Sequence, residues 1–226
     1  MKIFNHVILN ELDFDLESIT NETGRVYITP TGNIYPSVTT VLGKLGKESI
    51  EKWKERIGVE EANKISFQAS TRGTNLHIAC ERYLLNQMSR MEMISMMPNI
   101  KKLFISIKSH LDLSLENICT LEQALYSDRL KLAGRVDCIG EWDGELAIID
   151  FKTSSKNKYK SWIKNYFWQC TIYSEMFEEL TGIKIDKIVV IISVEGKDQP
   201  QIFVQSKAEY LDDVNKFILD YHGGIL

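Results

Sequence analysis

Two carboxylates and one amine stand close together in the middle of the chain, at positions 137, 150 and 152. Asp150 and Lys152 are two residues apart, and a β-strand points such side chains to one face of a sheet. A hairpin folded at Asp143-Gly144 would bring Asp137 alongside them. Carboxylate oxygens suit Mg²⁺ or Mn²⁺, and a nearby ammonium can orient a water and offset developing charge. The arrangement therefore predicts metal-assisted hydrolysis of a phosphodiester.

Asp150 is difficult to explain as an ordinary surface charge. It follows the apolar run 146–149 and precedes Phe151, whose backbone carbonyl offers a further oxygen ligand. A carboxylate in such a setting is costly unless it is paired or bound to a metal. A simple ion pair with Lys152 is the alternative interpretation, and the motif context favours the metal site.

The bulk properties of the chain limit the class of protein. The 226 residues are 44% hydrophobic and carry a net charge of −4, so any nucleic-acid binding must come from a local patch. Four single cysteines without a C-x-x-C pair argue against a zinc knuckle or an iron-sulfur cluster. We expect no membrane span and a monomer. An N-terminus without an apolar signal core favours the cytoplasm of a bacterium or a phage-infected cell, with mitochondria kept as an alternative.

Hydrophobic periodicity predicts an α/β fold. Helices are expected at 38–44, 49–66, 70–88 and 99–110 after a hairpin at 25–36, with Ser37 and Ser70 as N-caps. Strands are expected at 117–127, 132–142, 145–152, 186–194 and 200–206, with helices at 159–180 and 207–220. This order predicts a mixed central sheet flanked by helices. We divide one compact unit into an N-terminal hairpin and helical extension, 1–66, and a core, 67–226.

Three further ionisable residues have ambiguous roles when read from spacing alone. His77 and Glu81 are four residues apart and share one face of the predicted helix. A lone histidine in that position is more often a half-buried helix residue than a metal ligand, and Glu81 is expected to be solvated. Glu122 lies in the first of the three consecutive strands, where an edge-strand surface charge is the default interpretation.

Five ordered segments resemble the PD-(D/E)XK nuclease superfamily, and specifically its RecB-like branch, which includes mitochondrial and phage exonucleases. The segments are 36–42, 51–56, 72–77 with Glu81, 137–152 and 169–173, which together span about residues 36–205. Arg135 and Val136 replace the proline that the family name places before the aspartate. Gly134-Arg135-Val136-Asp137 instead matches the G-x-x-D form of RecB-like members.

The resemblance implies a fold, a cofactor and a set of roles. The expected fold is a restriction-endonuclease-like αβββαβ core with an N-terminal helical extension, and the expected cofactor is Mg²⁺ or Mn²⁺. Asp137 and Asp150 would bind the metal, with Lys152 as the catalytic lysine. His77 would be a further ligand, which reverses the expectation from spacing. Supporting roles would fall to four residues: Gln169 and Tyr173 of the Q-x-x-x-Y element, Glu81 and Glu122.

A basic and aromatic strip follows the predicted site. No acidic residue occurs between Phe151 and Ser174, where lysines alternate with aromatic side chains. Lysines can neutralise phosphates, and aromatic faces can stack on unpaired bases, although a helix starting near 159 also needs some of these aromatics for its core. The residues predicted to contact DNA are Lys156, Lys158, Lys160, Trp162, Arg72 near a helix N-terminus, and Ser37 and Thr39, whose capping of the helix at 38–44 is an equally good explanation.

Four functional hypotheses remain open from the sequence. The first is a metal-dependent exonuclease for single-stranded DNA, whose end requirement and strand preference are implied by the resemblance alone. The second is a structure-specific or sequence-specific endonuclease built on the same core. The third is a nuclease-derived binding module without activity, against which the intact acids and lysine argue. The fourth is an unrelated mixed-sheet protein in which these charges form surface pairs.

Overall fold

The computed structural model describes residues 1–224, which form two β-sheets and seven α-helices. The strands are β1 (Glu17–Asn21), β2 (Gly24–Ile28), β3 (Ile34–Pro36), β4 (Leu115–Ser127), β5 (Leu132–Trp142), β6 (Glu145–Ser154), β7 (Lys187–Val194) and β8 (Gln201–Ser206). The helices are α1 (Val38–Gly43), α2 (Lys47–Ile57), α3 (Val59–Leu84), α4 (Arg90–Ser95), α5 (Pro98–Ser114), α6 (Lys164–Thr181) and α7 (Leu211–His222).

The central sheet has five strands in the order β4-β5-β6-β7-β8. Only the β6–β7 pair is parallel, and α6 makes the crossover between those two strands. The β5–β6 hairpin turns at Asp143 and Gly144, whose φ angles of 50° and 77° suit a tight two-residue turn. The predicted α/β fold with an αβββαβ core is confirmed, and the predicted hairpin turn lies where the sequence placed it.

Helices cover both faces of this sheet because its strands are apolar on both sides. Ile148 packs with α6 and α7 in one hydrophobic cluster, whereas Ile149 packs with α3 and α5 in the other. Strand β7 is buried on both faces, as expected for a strand next to a parallel partner. Asp150 and Lys152 continue the alternation of Ile148, which places them toward α6.

The smaller sheet, β1-β2-β3, packs over one end of the central sheet. Tyr27 of β2 is buried against Ala124 of β4 and Ala133 of β5. A bridge between Ser37 and Ala133 holds the start of α1 to β5. The N-terminal sheet therefore lies beside the part of β5 that leads into Asp137.

Several predicted boundaries in the helical region are wrong. The break between the two long helices is at Gly58, with φ of 88°, and not near 67–69. Ser70 consequently lies inside α3 and caps nothing, whereas Ser37 does accept a hydrogen bond from the Thr40 amide as the N-cap of α1. Strand β1 and the short helix α4 were not expected. In the described part of the chain, no helix is both long and apolar enough to span a bilayer.

Candidate active site

Asp150 lies at the centre of the polar cluster and is almost fully buried, with 1% of the residue exposed. Its Oδ1 accepts hydrogen bonds from Lys152 Nζ at 2.5 Å and from Gln169 Nε2 at 2.9 Å. Lys152 faces Asp150 because the two residues are two apart in β6, and Gln169 reaches Asp150 because α6 packs across the sheet. Asp150 Oδ2 is buried without a hydrogen-bond partner among the described residues, which is costly unless a further group binds it.

Asp137 lies where β5 and β6 stop pairing. The register between the two strands runs from the hairpin as far as Cys138 opposite Ile149. Beyond that point, Asp137 Oδ2 accepts a hydrogen bond from the Phe151 amide at 2.7 Å. The Asp137 carboxylate thus accepts a hydrogen bond from the backbone of β6, and this contact fixes it next to Asp150 on the neighbouring strand.

Helix α3 contributes His77, whose ring faces two carboxylates. His77 Nδ1 is 3.4 Å from Asp137 Oδ1 and 3.7 Å from Glu122 Oε1. One ligand atom from each of His77, Glu122 and Asp137 lies within 4.8 Å of the others, a separation that a single cation could bridge. The default interpretation of Glu122 as an edge-strand surface charge is wrong. Its φ of 47° breaks the regular alternation of β4, so alternation could not predict which way it faces.

The local charges shift the pKa values of these groups. Burial favours the neutral ring of His77, but the Asp137 carboxylate raises the pKa of His77 to about 10. Burial raises the pKa of Asp150, with the Asp137 charge adding to the shift and the Lys152 ammonium opposing it. Burial would lower the pKa of Lys152, but the two aspartates hold it above its usual range. The site therefore concentrates negative charge that a cation would offset.

A cleft of about 220 Å³ opens over these residues. Gln169 and Tyr173 of α6 form part of its wall, with Ser37 and Thr39 at the start of α1. Gly134 of β5 lies directly beneath the Tyr173 ring: a Cβ at this glycine would be 2.8 Å from Tyr173 Cε1. The G-x-x-D and Q-x-x-x-Y elements are therefore in direct contact.

The donor set fits a hard divalent cation. Carboxylates and one imidazole are ligands that Mg²⁺ and Mn²⁺ accept, and the buried, unpartnered Asp150 Oδ2 offers an oxygen that the protein leaves unused. Glu81 lines a second cavity of about 480 Å³ together with His77 and Glu122. Burial raises the pKa of Glu81, with the Glu122 charge adding to the shift, so these two acids lie near each other.

The residues predicted to contact DNA are distributed unevenly. Lys156 is exposed and Lys158 is half-buried in the loop after β6. Trp162 packs edge-to-face against exposed Tyr159, with ring centroids 4.7 Å apart. Lys160 pairs with Glu209 at 3.2 Å, which reduces its availability for phosphate. These residues belong to the chain segment that begins immediately after β6.

The expectation for Arg72 needs a correction. It lies in the middle of α3, so it has no helix N-terminus beside it, and its Nη1 is 2.9 Å from Glu195 Oε2. Ser37 is buried, and its hydroxyl accepts the Thr40 amide hydrogen bond at 3.0 Å, which is the capping role. Thr39, by contrast, is exposed at the cleft.

Two site residues were missed by the sequence. Tyr166 of α6 places its ring 5.3 Å from Lys152 Nζ, and Arg25 of β2 lines the cleft from the N-terminal sheet. The interleaved aromatics between 159 and 168 gave a signal for Tyr166. The sequence around Arg25 gave no such signal, because Arg25 reaches the site only through the packing of the smaller sheet against β5.

A protein-family comparison decides the classification of this chain. The model of the PD-(D/E)XK nuclease superfamily matches residues 59–220, from the start of α3 to the last turn of α7. The chain belongs to the PD-(D/E)XK nuclease superfamily. Nucleases of this superfamily depend on divalent metals, for which the His77, Glu122 and Asp137 cluster of this chain is a possible site.

The relatives of this PD-(D/E)XK chain include proteins named as exonucleases. It is 30% identical over 134 residues to Mitochondrial genome maintenance exonuclease 1 of Homo sapiens, covering 56% of this chain and 38% of that protein. The Xenopus tropicalis protein of the same name is 29% identical over 160 residues, covering 66% and 44%. An ATP-dependent helicase/nuclease chain of Clostridium botulinum is 30% identical over 87 residues, covering 38% and 7%. The chain thus spans less than half of the length of the curated relatives that it matches.

Proposed function

We propose that this nuclease is a DNA exonuclease that requires Mg²⁺ or Mn²⁺ and degrades single-stranded DNA from free ends. The observation that carries the proposal is that Asp137 and Lys152 line one cleft beside buried Asp150, whose Oδ2 has no hydrogen-bond partner among the described residues. The exonuclease names of the relatives support removal of nucleotides from ends. The metal preference, the strand preference and the end requirement are parts of the proposal.

The proposed metal ligands are His77, Asp137, Asp150 and the Phe151 carbonyl, with Glu122 as an additional carboxylate near His77. A bound divalent cation would supply charge neutralisation at the phosphate and a more acidic water. The protein contributes the fixed positions of these ligands. The Phe151 amide holds Asp137, and the Gln169 amide holds Asp150, so both carboxylates are oriented before substrate arrives.

Lys152 is the proposed catalytic lysine. Its Nζ is held by Asp150 on one side and by the face of Tyr166 on the other, and it lines the cleft. Because the aspartates keep it protonated, the ammonium can donate to the attacking water and offset charge on the phosphate. Gln169 and Tyr173 are proposed to position these groups, the first through Asp150 and the second through its contact with Gly134.

The single strand is proposed to continue from the cleft along the loop after β6. Lys156 and Lys158 would neutralise its phosphates, and the exposed face of Trp162 would stack on a base. Thr39 would donate its hydroxyl to a phosphate at the cleft wall. The ion pair of Lys160 with Glu209 makes this lysine a weaker contact than the other two.

The experiment compares linear and circular DNA, each single-stranded and duplex, with Mg²⁺, with Mn²⁺ and with a chelator. The proposal predicts that linear single strands disappear with either metal, whereas circular single strands and all chelated samples survive. Asp150→Ala and Lys152→Ala should abolish cleavage and retain the fold. Asp143→Asn, in the exposed hairpin turn, is the matched control and should cleave like wild type. Cleavage of circular single strands would refute the end requirement, and wild-type rates in Asp150→Ala would refute the site.

A further inference from the structure

Arg25 is anchored to the site by its backbone. Its amide donates to Thr40 Oγ1 at 3.0 Å, and its carbonyl accepts from the Ser37 amide at 2.8 Å. Both partners belong to the turn that begins α1. The preceding residue, Gly24, lies so close to Thr40 that a Cβ there would be 2.3 Å from Thr40 Cγ2. Strand β2 is therefore held tightly at the position from which the Arg25 side chain emerges.

Arg25 lines the two cavities that border the proposed catalytic residues. Arg25 and Tyr27 are two apart in β2 and share a face, and Tyr27 is buried against β5. Arg25 lines the cleft of about 220 Å³ that contains Asp137 and Lys152. It also lines the adjoining cavity of about 480 Å³, on the side of Glu81. Arg25 thus lines both the proposed reaction centre and the space next to it.

Arg25 also differs from the other cations of the cleft in having no bound partner. Lys152 is paired with Asp150, and Arg135 is paired with Asp15 at 2.8 Å. The contacts of Arg25 within residues 1–224 involve its backbone, and no carboxylate of that range lies within ion-pair distance of its guanidinium. An exposed guanidinium beside a nucleolytic site is a ready donor to phosphate oxygens.

We infer that Arg25 binds the backbone phosphate next to the scissile phosphate, so that the N-terminal sheet positions the strand for hydrolysis. This inference rests on the proposed function. It assigns a substrate contact to a residue outside the 59–220 segment that matches the family. Arg25 is a positioning residue: it holds the strand, and the acids and Lys152 carry out the chemistry.

The competing explanation is that Arg25 only offsets the negative charge of Glu81, Glu122 and Asp137. The two explanations differ in their dependence on the substrate. A phosphate contact releases counterions from DNA and disappears when that one phosphate is made neutral. A charge-offsetting role would alter metal binding, and it would leave the phosphate pattern of DNA binding unchanged.

The test measures DNA binding in an Asp150→Asn background, with and without Arg25→Gln. The probes are linear single strands that each carry one neutral methylphosphonate, placed at successive positions. Their affinities are measured between about 50 and 200 mM salt, a range over which the slope of log K against log salt can be determined. We expect Arg25→Gln to reduce the slope of log K against log salt by about 0.7, the value for one phosphate contact on a single strand. One methylphosphonate position should lose its effect in the Arg25→Gln protein.

Steady-state cleavage gives the second measurement. In the otherwise unaltered protein, Arg25→Gln should raise KM about tenfold, the loss typical of one charge-assisted hydrogen bond, with kcat changed less than about twofold. Arg25→Lys, which keeps the positive charge, should have a KM close to that of the wild type. Arg90→Gln, on the exposed side of α4, is the matched control and should leave both constants unchanged.

An unchanged salt slope together with an unchanged methylphosphonate pattern would overturn the inference. If Arg25→Gln unfolds, the same measurements on Arg25→Met, which also lacks the charge, decide instead: loss of the effect at one methylphosphonate position supports the contact, and an unaltered pattern refutes it. Because binding is measured without cleavage, these outcomes are independent of whether the wild-type protein cuts DNA.

Discussion

Substitution of Gly134 by alanine tests the contact between β5 and α6 that supports the site. The added Cβ would lie 2.8 Å from Tyr173 Cε1 and 3.0 Å from its hydroxyl oxygen. Ordinary carbon contacts begin near 3.4 Å, so the ring must retreat by about 0.6 Å. Overpacking of this kind costs about 1–3 kcal/mol, which corresponds to a fall in Tm of about 2–12 °C for a chain of this size.

Gly134→Ala should affect activity more than its stability cost alone explains. Tyr173 and Gln169 are one helical turn apart on α6, and Gln169 donates to Asp150 at 2.9 Å. Moving the ring outward moves this turn, so the hydrogen bond that orients Asp150 lengthens. We therefore expect cleavage to fall at least tenfold at temperatures at which the variant is still folded.

Thermal unfolding and initial cleavage rates, measured on the same preparations, provide the assay. Gly43→Ala is the matched control, because nothing lies within 4 Å of a Cβ at that helical position, and it should be neutral or stabilising. Tyr173→Leu removes the ring, so Gly134→Ala should lower the stability of the Tyr173→Leu protein much less than it lowers the stability of the wild type. Equal costs in the two backgrounds would refute the steric explanation.

Three more predictions follow from the charges. Glu122→Gln should weaken Mn²⁺ binding about tenfold in calorimetry, because it removes a carboxylate 3.7 Å from His77 Nδ1; unchanged affinity would exclude Glu122 from the site. Because the pKa of His77 is about 10 without metal, Mn²⁺ must displace a proton, and its affinity should rise about tenfold per pH unit from pH 7 to 9; a flat profile would contradict this. Lys207 and Arg129 lower the pKa of Glu175, although burial opposes this shift. The Glu175 carboxylate therefore stabilises the fold above its unfolded pKa, and this stabilisation is lost as the pH falls through the lower pKa of the folded state. Glu175→Gln should make Tm fall less steeply as the pH is lowered, and an unchanged acid limb would contradict this.

The central sheet and most of its strand limits were predictable because alternation and turn chemistry act locally. Asp143-Gly144 defines a tight hairpin, and the strand periodicity places Asp150 and Lys152 on one face. The long helices were less predictable, since the polar faces of α2 and α3 hide the break at Gly58. Family resemblance, and not spacing, suggested that His77 belongs to the site.

The other contacts of the site depend on tertiary structure or on local backbone departures that the sequence pattern does not show. Glu122 faces His77 because its φ is positive, a local departure that composition does not signal. Arg25 comes from a separate sheet, and its position depends on the packing of Tyr27 against β5. The reason given for Arg72 failed because the helix begins at Val59, so no free helix N-terminus lies near that arginine.

The most direct test of the site is an anomalous-scattering experiment on crystals soaked in Mn²⁺. The account predicts one strong peak within about 2.0–2.4 Å of oxygens from both Asp137 and Asp150 and of a ring nitrogen of His77. The peak should be lost in Asp137→Asn crystals, and Mn²⁺-dependent cleavage should be lost with it. A protein that cleaves DNA in Mn²⁺ and yet binds the ion away from these two aspartates would contradict the account.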